Sequence, residues 1–323
     1  MHDRADILAE TYGLGPGPWT ITPVTRGALG QIWKLSGNGT AWAVKELLFG
    51  CDEEQVRREA ELRRATADLG IAAPRLLPDR HGAYASHVAL SSGGSDVKLY
   101  DWVDGAEADA SDPEILGWIG RTMALLHLAG AGASEPPNAW YERCPQDDDW
   151  RDVHKKVRRA GLEWADELGR FIDTSAAELA RWVTPTDPSD LVTSHLDLQP
   201  QNVLVGPDGP VLLDWDNAGP ISAERELARA AYVWAGRNRG DVDAARRTAR
   251  AYRSAGGPGE VTGPQSFSML FATELNFIHV QAECAVDPTV TEAQREFGSR
   301  QAVASMRAAP DLAVVGRLAE AIG

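Results

Sequence analysis

The sequence predicts an α+β protein in two parts, an antiparallel β-sheet with one helix followed by a mainly helical remainder. Three observations carry this expectation. A length of 323 residues is too large for one small core and suggests two domains or lobes, each burying its own apolar surface. Before Gly105 the chain breaks into short β-compatible runs joined by Gly and Asn-Gly turns, a hairpin signal. Beyond Gly105 apolar residues recur at helical spacing.

The elements follow in order. Thr20 to Thr25 and Gln31 to Ser36 read as strands flanking the turn Arg26-Gly27-Ala28-Leu29-Gly30. The turn Gly37-Asn38-Gly39 leads into a third strand, Ala41 to Leu48. From Asp52 to Leu69 the pattern becomes a charged helix anchored by Val56, Leu62 and Leu69. Two more strands, Gly82 to Leu90 and Asp96 to Val103, are linked by Ser91-Ser92-Gly93-Gly94. Ser111-Asp112-Pro113-Glu114 starts a helix that runs to about Leu128, with a polar cap, Pro in the first turn and Glu in support. A helical tract spans Trp150 to Trp182, and two short strands, Asn202 to Val205 and Val211 to Leu213, interrupt the helices. Four further helices begin near Ser222, Asp241, Gln265 and Thr289. The expected division is residues 1–103 as an N-terminal lobe and 104–323 as a C-terminal lobe, with a hinge at about 100–105.

Composition narrows the function classes. With 32 Lys+Arg against 47 Asp+Glu, the formal charge is −15, which argues against a general nucleic-acid binder or an anionic-membrane ligand. A cationic small molecule suits that field only if carboxylates line its cleft. The three cysteines are far apart and include no C-x-x-C pair, excluding a full disulfide framework and a Cys-rich zinc site. The charged N-terminus and the lack of a long apolar run predict a soluble, cytoplasmic protein.

The most informative stretch is His195-Leu196-Asp197-Leu198-Gln199-Pro200-Gln201-Asn202, with Asp214-Trp215-Asp216 further along. Phosphoryl transfer needs a carboxylate to orient an attacking hydroxyl and oxygen ligands for Mg²⁺ on the nucleotide phosphates. A loop, a strand, a turn and a second strand can bring Asp197, Asn202 and Asp214 to one edge. Upstream, Lys45 ends Trp42-Ala43-Val44-Lys45, where a kinase places the lysine that binds α/β-phosphates. A buried lysine needs a partner. Glu59 lies three residues from both Val56 and Leu62, sharing their inward helical face, and is the expected partner of Lys45.

On these residues the chain resembles the aminoglycoside phosphotransferase family, small-molecule kinases with the two-lobed fold of protein kinases. The resemblance runs from about Ile21 to the C-terminal helices. It implies Asp197 as catalytic base, Asn202 and Asp214 as magnesium ligands, and His195 as a structural residue of the catalytic loop. Leu196 departs from the pattern, because the family most often has Gly there. Gly27 and Gly30 are assigned to the nucleotide because their turn precedes the Lys45 strand at kinase-like distance. Tyr100-Asp101-Trp102-Val103-Asp104-Gly105 resembles the interlobe hinge, and backbone groups around Asp101, Trp102 and Val103 are expected to bind the base of ATP or GTP.

The acceptor is expected to be small. Only a short segment separates Asp214 from the helix near Ser222, too little for a peptide-docking segment. Acidic candidates for a cationic acceptor are Glu274, Asp149 and Asp216, with Gln281 one turn further along its helix. Asp147-Asp148-Asp149 either faces the cleft or caps the following helix. Glu274 interrupts an apolar face and pairs with either a protein cation or a bound amine. His127 reads as a satisfied helix-end histidine. The leading expectation is ATP- or GTP-dependent O-phosphorylation of an aminoglycoside or related antibiotic, in resistance or biosynthesis, by a monomer or homodimer. The alternatives are a metabolic kinase of homoserine, choline, a sugar or a nucleoside, and a nucleotide-binding pseudokinase.

Overall fold

The computed structural model describes residues 4–27, 30–48, 50–90 and 93–323. The chain separates into two compact units. The first holds residues through Asp109 together with Pro200–Gly219, and the second holds Ala110–Gln199 and Pro220–Gly323. Where the sequence suggests one cut near residue 103, the contacts return a later hairpin to the first unit.

In the first unit, β1 (Trp19–Arg26), β2 (Gly30–Gly37), β3 (Thr40–Leu47), β4 (Leu76–Leu77), β5 (Ser86–Leu90) and β6 (Gly93–Asp101) form one sheet. Its order is β1-β2-β3-β6-β4, with β5 also on β6. The β2–β3 hairpin turns at Asn38-Gly39, both in the left-handed region that suits Asn and Gly. The helix α1 (Arg4–Thr11), which the sequence reading did not include, places Ala5, Leu8 and Ala9 in one core with Leu35, Val44, Val97 and Leu99. The helix α2 (Glu53–Ala67) starts at Asp52, whose carboxylate accepts from the Glu54 and Gln55 amides. A second, three-stranded sheet of β7 (Ala106–Glu107), β9 (Val203–Gly206) and β10 (Gly209–Leu212) explains why the late hairpin belongs here. Backbone hydrogen bonds from Ala108 N to Val203 O at 3.0 Å and from Leu212 N to Ala72 O at 2.8 Å tie it to the earlier chain.

The second unit is helical: α3 (Pro113–Ala129), α4 (Ala139–Glu142), α5 (Asp147–Arg159), α6 (Ala165–Phe171), α7 (Ala177–Ala180), α8 (Ala223–Trp234), α9 (Val242–Ser254), α10 (Ser268–Val286), α11 (Glu292–Arg307) and α12 (Leu312–Ile322). The tract expected from Trp150 to Trp182 is broken at Gly161, which takes φ +69°, and contains a π-helical turn at Ile172–Ala176. The strands β8 (Leu191–Ser194) and β11 (Gly219–Ser222) pair with each other. Two glycines set close approaches. A Cβ on Gly120 of α3 would lie 2.3 Å from Thr248 O on α9, and one on Gly130 would lie 1.8 Å from Thr193 O on β8. The end of α3 is therefore pressed onto the strand that leads into the Asp197 loop, where Thr193 N donates to Gly130 O at 2.8 Å.

Candidate active site

In the second unit, the loop after β8 carries His195, Leu196 and Asp197. Asp197 is held at both oxygens: Arg229 Nη2 donates to Oδ1 at 2.9 Å and Gln199 Nε2 to Oδ2 at 2.9 Å. Its amide donates to His195 Nδ1 at 3.2 Å, and the His195 side chain is fully buried. The loop backbone is gripped from α8. Leu196 N donates to Glu226 Oε1 at 2.6 Å, Arg229 Nη1 donates to Leu196 O at 3.2 Å, and Trp234 Nε1 donates to Leu198 O at 3.0 Å. Glu226 also meets His127 Nε2 at 2.6 Å, and His127 Nδ1 meets the Tyr252 hydroxyl at 2.7 Å. His127 is thus a satisfied histidine of the core. Burial works to raise the Glu226 pKa, but His127, Ser194 and His195 together outweigh it and hold the carboxyl below its ordinary value. Burial likewise opposes the Arg229 charge, and Asp197, with smaller help from Tyr141 and Glu274, outweighs it and raises the guanidinium further.

In the first unit, Asn202 and Asp214 are brought together by the β9–β10 hairpin. Leu212 pairs with Val203, and Leu213 N donates to Asn202 O at 2.8 Å, so Asp214 follows directly on the residue bonded to Asn202. Asp214 sits in the left-handed region at φ +54° and keeps 39% of its side chain exposed. Its Oδ1 lies 2.6 Å from Lys45 Nζ. A carboxylate and an amide oxygen donor at neighbouring positions suit a hard divalent cation that keeps waters and phosphate oxygens as its other ligands. Among the described residues there is no cluster of three or more His, Cys, Asp or Glu able to form an all-protein metal cage.

The expected partnership of Lys45 with Glu59 is not what the structure shows. Lys45 pairs with Asp214 and, at 2.8 Å, with Asp216 Oδ2. Burial would lower the Lys45 pKa, but the two carboxylates outweigh it and hold the ammonium above its ordinary range. Glu59 instead receives Lys98 Nζ at 2.8 Å, Arg63 Nε at 3.1 Å and the Tyr100 hydroxyl at 3.2 Å. Lys45 and Lys98 are directly opposed cross-strand partners on β3 and β6, and of the two it is Lys98 that reaches Glu59 on α2. Asp216, expected at the acceptor, is engaged with both lysines, its Oδ1 lying 2.5 Å from Lys98 Nζ.

The remaining expectations resolve individually. Gly27 N donates to Gly30 O at 2.9 Å, closing the turn, while Ala28 and Leu29 lie outside the described residues. A Cβ on Gly30 would lie 3.3 Å from Lys45 Cε, so this glycine borders the lysine. The Asp101 amide is already given to Arg75 O at 3.1 Å, and its carboxylate is bidentate with the Arg75 guanidinium at 2.7 and 2.9 Å. The chain leaves β6 at Asp101, so peptide groups freed from the sheet begin at Trp102 and Val103. The indole of Trp102 is held by Asp104 at 2.7 Å. Asp149 caps α5 by accepting from the Gln146 amide at 2.8 Å. Glu274 pairs with Arg237 at 2.7 Å, the protein cation of the two alternatives. Gln281 is buried on α10, and its Oε1 has no hydrogen-bond partner among the described residues. Sequence reasoning missed Lys98, Arg229 and Glu226. The last two stand three residues apart on α8, a spacing that places them on one face.

The chain belongs to the phosphotransferase enzyme family, whose model matches residues 20–263. Similar solved structures include a spectinomycin phosphotransferase in complex with ADP and spectinomycin, at 14% identity, TM-score 0.65, covering 98% of this chain and 97% of that one. An amicoumacin kinase in complex with AMP-PNP, Ca²⁺ and Ami matches at 13% identity and TM-score 0.63, covering 96% of this chain and 95% of that one. A microcompartment-associated aminopropanol kinase matches at 14% identity and TM-score 0.58, covering 94% of each chain. No curated protein matches the chain significantly in sequence. Among the described residues no helix is long and apolar enough to cross a membrane.

Proposed function

We propose that the protein transfers the γ-phosphoryl group of ATP or GTP to a hydroxyl of a small, amine-bearing molecule. The observation that carries this reading is the clamped Asp197, whose two oxygens are fixed by Arg229 and Gln199 on a loop five residues before Asn202. A general base must be oriented before it is basic in the right place. Arg229 and Gln199 supply that orientation, and the Glu226 bond to the Leu196 amide fixes the backbone beneath it. In this reading Asp197 aligns the acceptor hydroxyl and accepts its proton, Lys45 binds the phosphates, and the transfer proceeds in line. Asn202 and Asp214 would hold Mg²⁺, which offsets phosphate charge when bound. The turn at Gly27 and Gly30 would cover the phosphates, and the peptide groups at Trp102 and Val103 would receive the base.

The acceptor class rests on the relatives rather than on an acidic cleft. Aminopropanol, spectinomycin and amicoumacin are named for the similar structures, and the first is an amino alcohol. Glu274 and Asp149 have protein partners, so an amine on the acceptor would compete with Arg237 for Glu274. An aminoglycoside or related antibiotic and a metabolic amino alcohol remain the two acceptor readings, the second favoured by the aminopropanol kinase. A coupled ADP-release screen across aminoglycosides, peptide antibiotics, amino alcohols and uncharged sugars tests them. Turnover confined to uncharged sugars would overturn the amine-bearing acceptor while sparing phosphotransfer. With any productive acceptor, Asp197→Asn is expected to lower kcat by about 10²–10⁴-fold, with a lower melting temperature because the largely buried Arg229 loses its carboxylate. Full turnover in that variant would sink the mechanism.

A further inference from the structure

Lys98 has no role in the reading above, although it is one of the most deeply buried cations in the chain. Only 3% of its side chain is exposed, and none of Glu59. The geometry around it is a relay. Glu59 Oε2 meets Lys98 Nζ at 2.8 Å, Lys98 Nζ meets Asp216 Oδ1 at 2.5 Å, and Asp216 Oδ2 meets Lys45 Nζ at 2.8 Å. One carboxylate therefore bridges two ammonium groups whose residues are directly opposed across β3 and β6. Like charges facing each other across strands repel, and Asp216 is the counterion that makes the pair tolerable. The main chain of Asp216 is fixed as well, its carbonyl accepting from Gln55 Nε2 on α2 at 2.6 Å.

We propose that Lys98 is a positioning residue for the nucleotide site, and that Asp216, held by Lys98, does for Lys45 what a direct glutamate partner would do. This inference rests on the assignment of Lys45 to the nucleotide phosphates. Lys45 has two carboxylate contacts, and they are not equivalent. Asp214 is 39% exposed and belongs to the hairpin assigned to the cation, whereas Asp216 is 19% exposed and anchored on its far side by Lys98. When Asp214 is drawn to other partners, Asp216 still holds the ammonium in place and leaves its remaining protons directed outward. The helix α2 then acts on Lys45 only at second hand, through Glu59–Lys98–Asp216 and through Gln55.

The test is the affinity for Mg-ADP, measured by titration calorimetry, which needs no acceptor. Lys98→Met and Asp216→Asn are each expected to weaken binding by about tenfold, the factor a single charge-assisted hydrogen bond supplies. Their combination should lose little more than either alone. Lys98→Arg should retain most of the affinity, because a guanidinium can still span both carboxylates. Glu59→Gln should cost little, since the amide oxygen still accepts from Lys98. Lys98→Met leaves Glu59 short of a partner, so the double variant Glu59→Gln/Lys98→Met, free of that buried charge, serves as the folded control and should match the Lys98→Met loss. Native Mg-ADP affinity in this double variant, with binding abolished in Lys45→Met, would overturn the positioning role alone. So would a Glu59→Gln loss as large as that of Lys45→Met. Native affinity in Lys45→Met would overturn the phosphate assignment itself, and the relay with it.

Discussion

Leu196 stands where the related motif most often has Gly, and the structure shows what each choice does. Its backbone takes φ +65°, the left-handed region that costs a branched or bulky residue about 1–2 kcal/mol. Its side chain is 2% exposed and packs with Tyr141, Val192, Ile221 and Met269. Burying a leucine is worth about 1.5–3 kcal/mol, so packing outweighs strain. Leu196→Gly is therefore expected to lower stability by roughly 1 kcal/mol despite relieving the backbone, measured as a reduced denaturant midpoint with unchanged slope. A higher midpoint would show that strain dominates. The same residue explains why the motif survives the departure: the left-handed turn that glycine would adopt freely is enforced here by a hydrophobic anchor and by the Glu226 bond to the Leu196 amide.

At the scale of elements, α3, α8 and α9 meet at one polar knot, where Glu226 joins His127, the Asp197 loop and, through His127, Tyr252. The folded Glu226 pKa lies below its unfolded value, which is near ~4.3. Its contribution is complete above that unfolded value and is lost as pH falls through the depressed native value. The melting temperature of the native protein should decline more steeply than that of Glu226→Gln on acidification below about pH 4.3; parallel profiles would contradict this. Such knots mark the limit of what the sequence discloses. The Asp197, Asn202 and Asp214 pattern stands out because the proposed phosphoryl transfer would use those side chains at short chain separations, and the strands and most helices are legible from periodicity and caps. The partner of Lys45 is not. Val44-Lys45 and Val97-Lys98 look alike along the chain, and only the folded contacts tell which lysine meets Glu59 and which meets Asp214 and Asp216. The helix Arg4–Thr11 was missed for another reason: its buried Ala5, Leu8 and Ala9 form too short a stripe to stand out from a charged terminus.

For the whole molecule, the informative fact is that Pro200–Gly219 belongs with the first unit although it lies between two segments of the second. Native-state hydrogen exchange in mild denaturant should show Val203 to Leu212 losing protection together with β3 and β6, and not with α3 or α10. Protection that follows α10 would contradict the division. The same interruption bears on how the protein is made. During synthesis Lys45 and Lys98 leave the ribosome well before Asp214 and Asp216, the carboxylates that neutralise them. About 105 residues separate Asp109 from Asp214, and at about 5–20 residues per second that interval is roughly 5–20 s. Through it the nascent sheet has Glu59 as the only one of the three cluster carboxylates to set against Lys45, Lys98 and Arg63, and burying unpaired cations is costly. The charge cluster of the first unit is thus completed only after Ala110–Gln199, the earlier of the two segments of the helical unit, has been made.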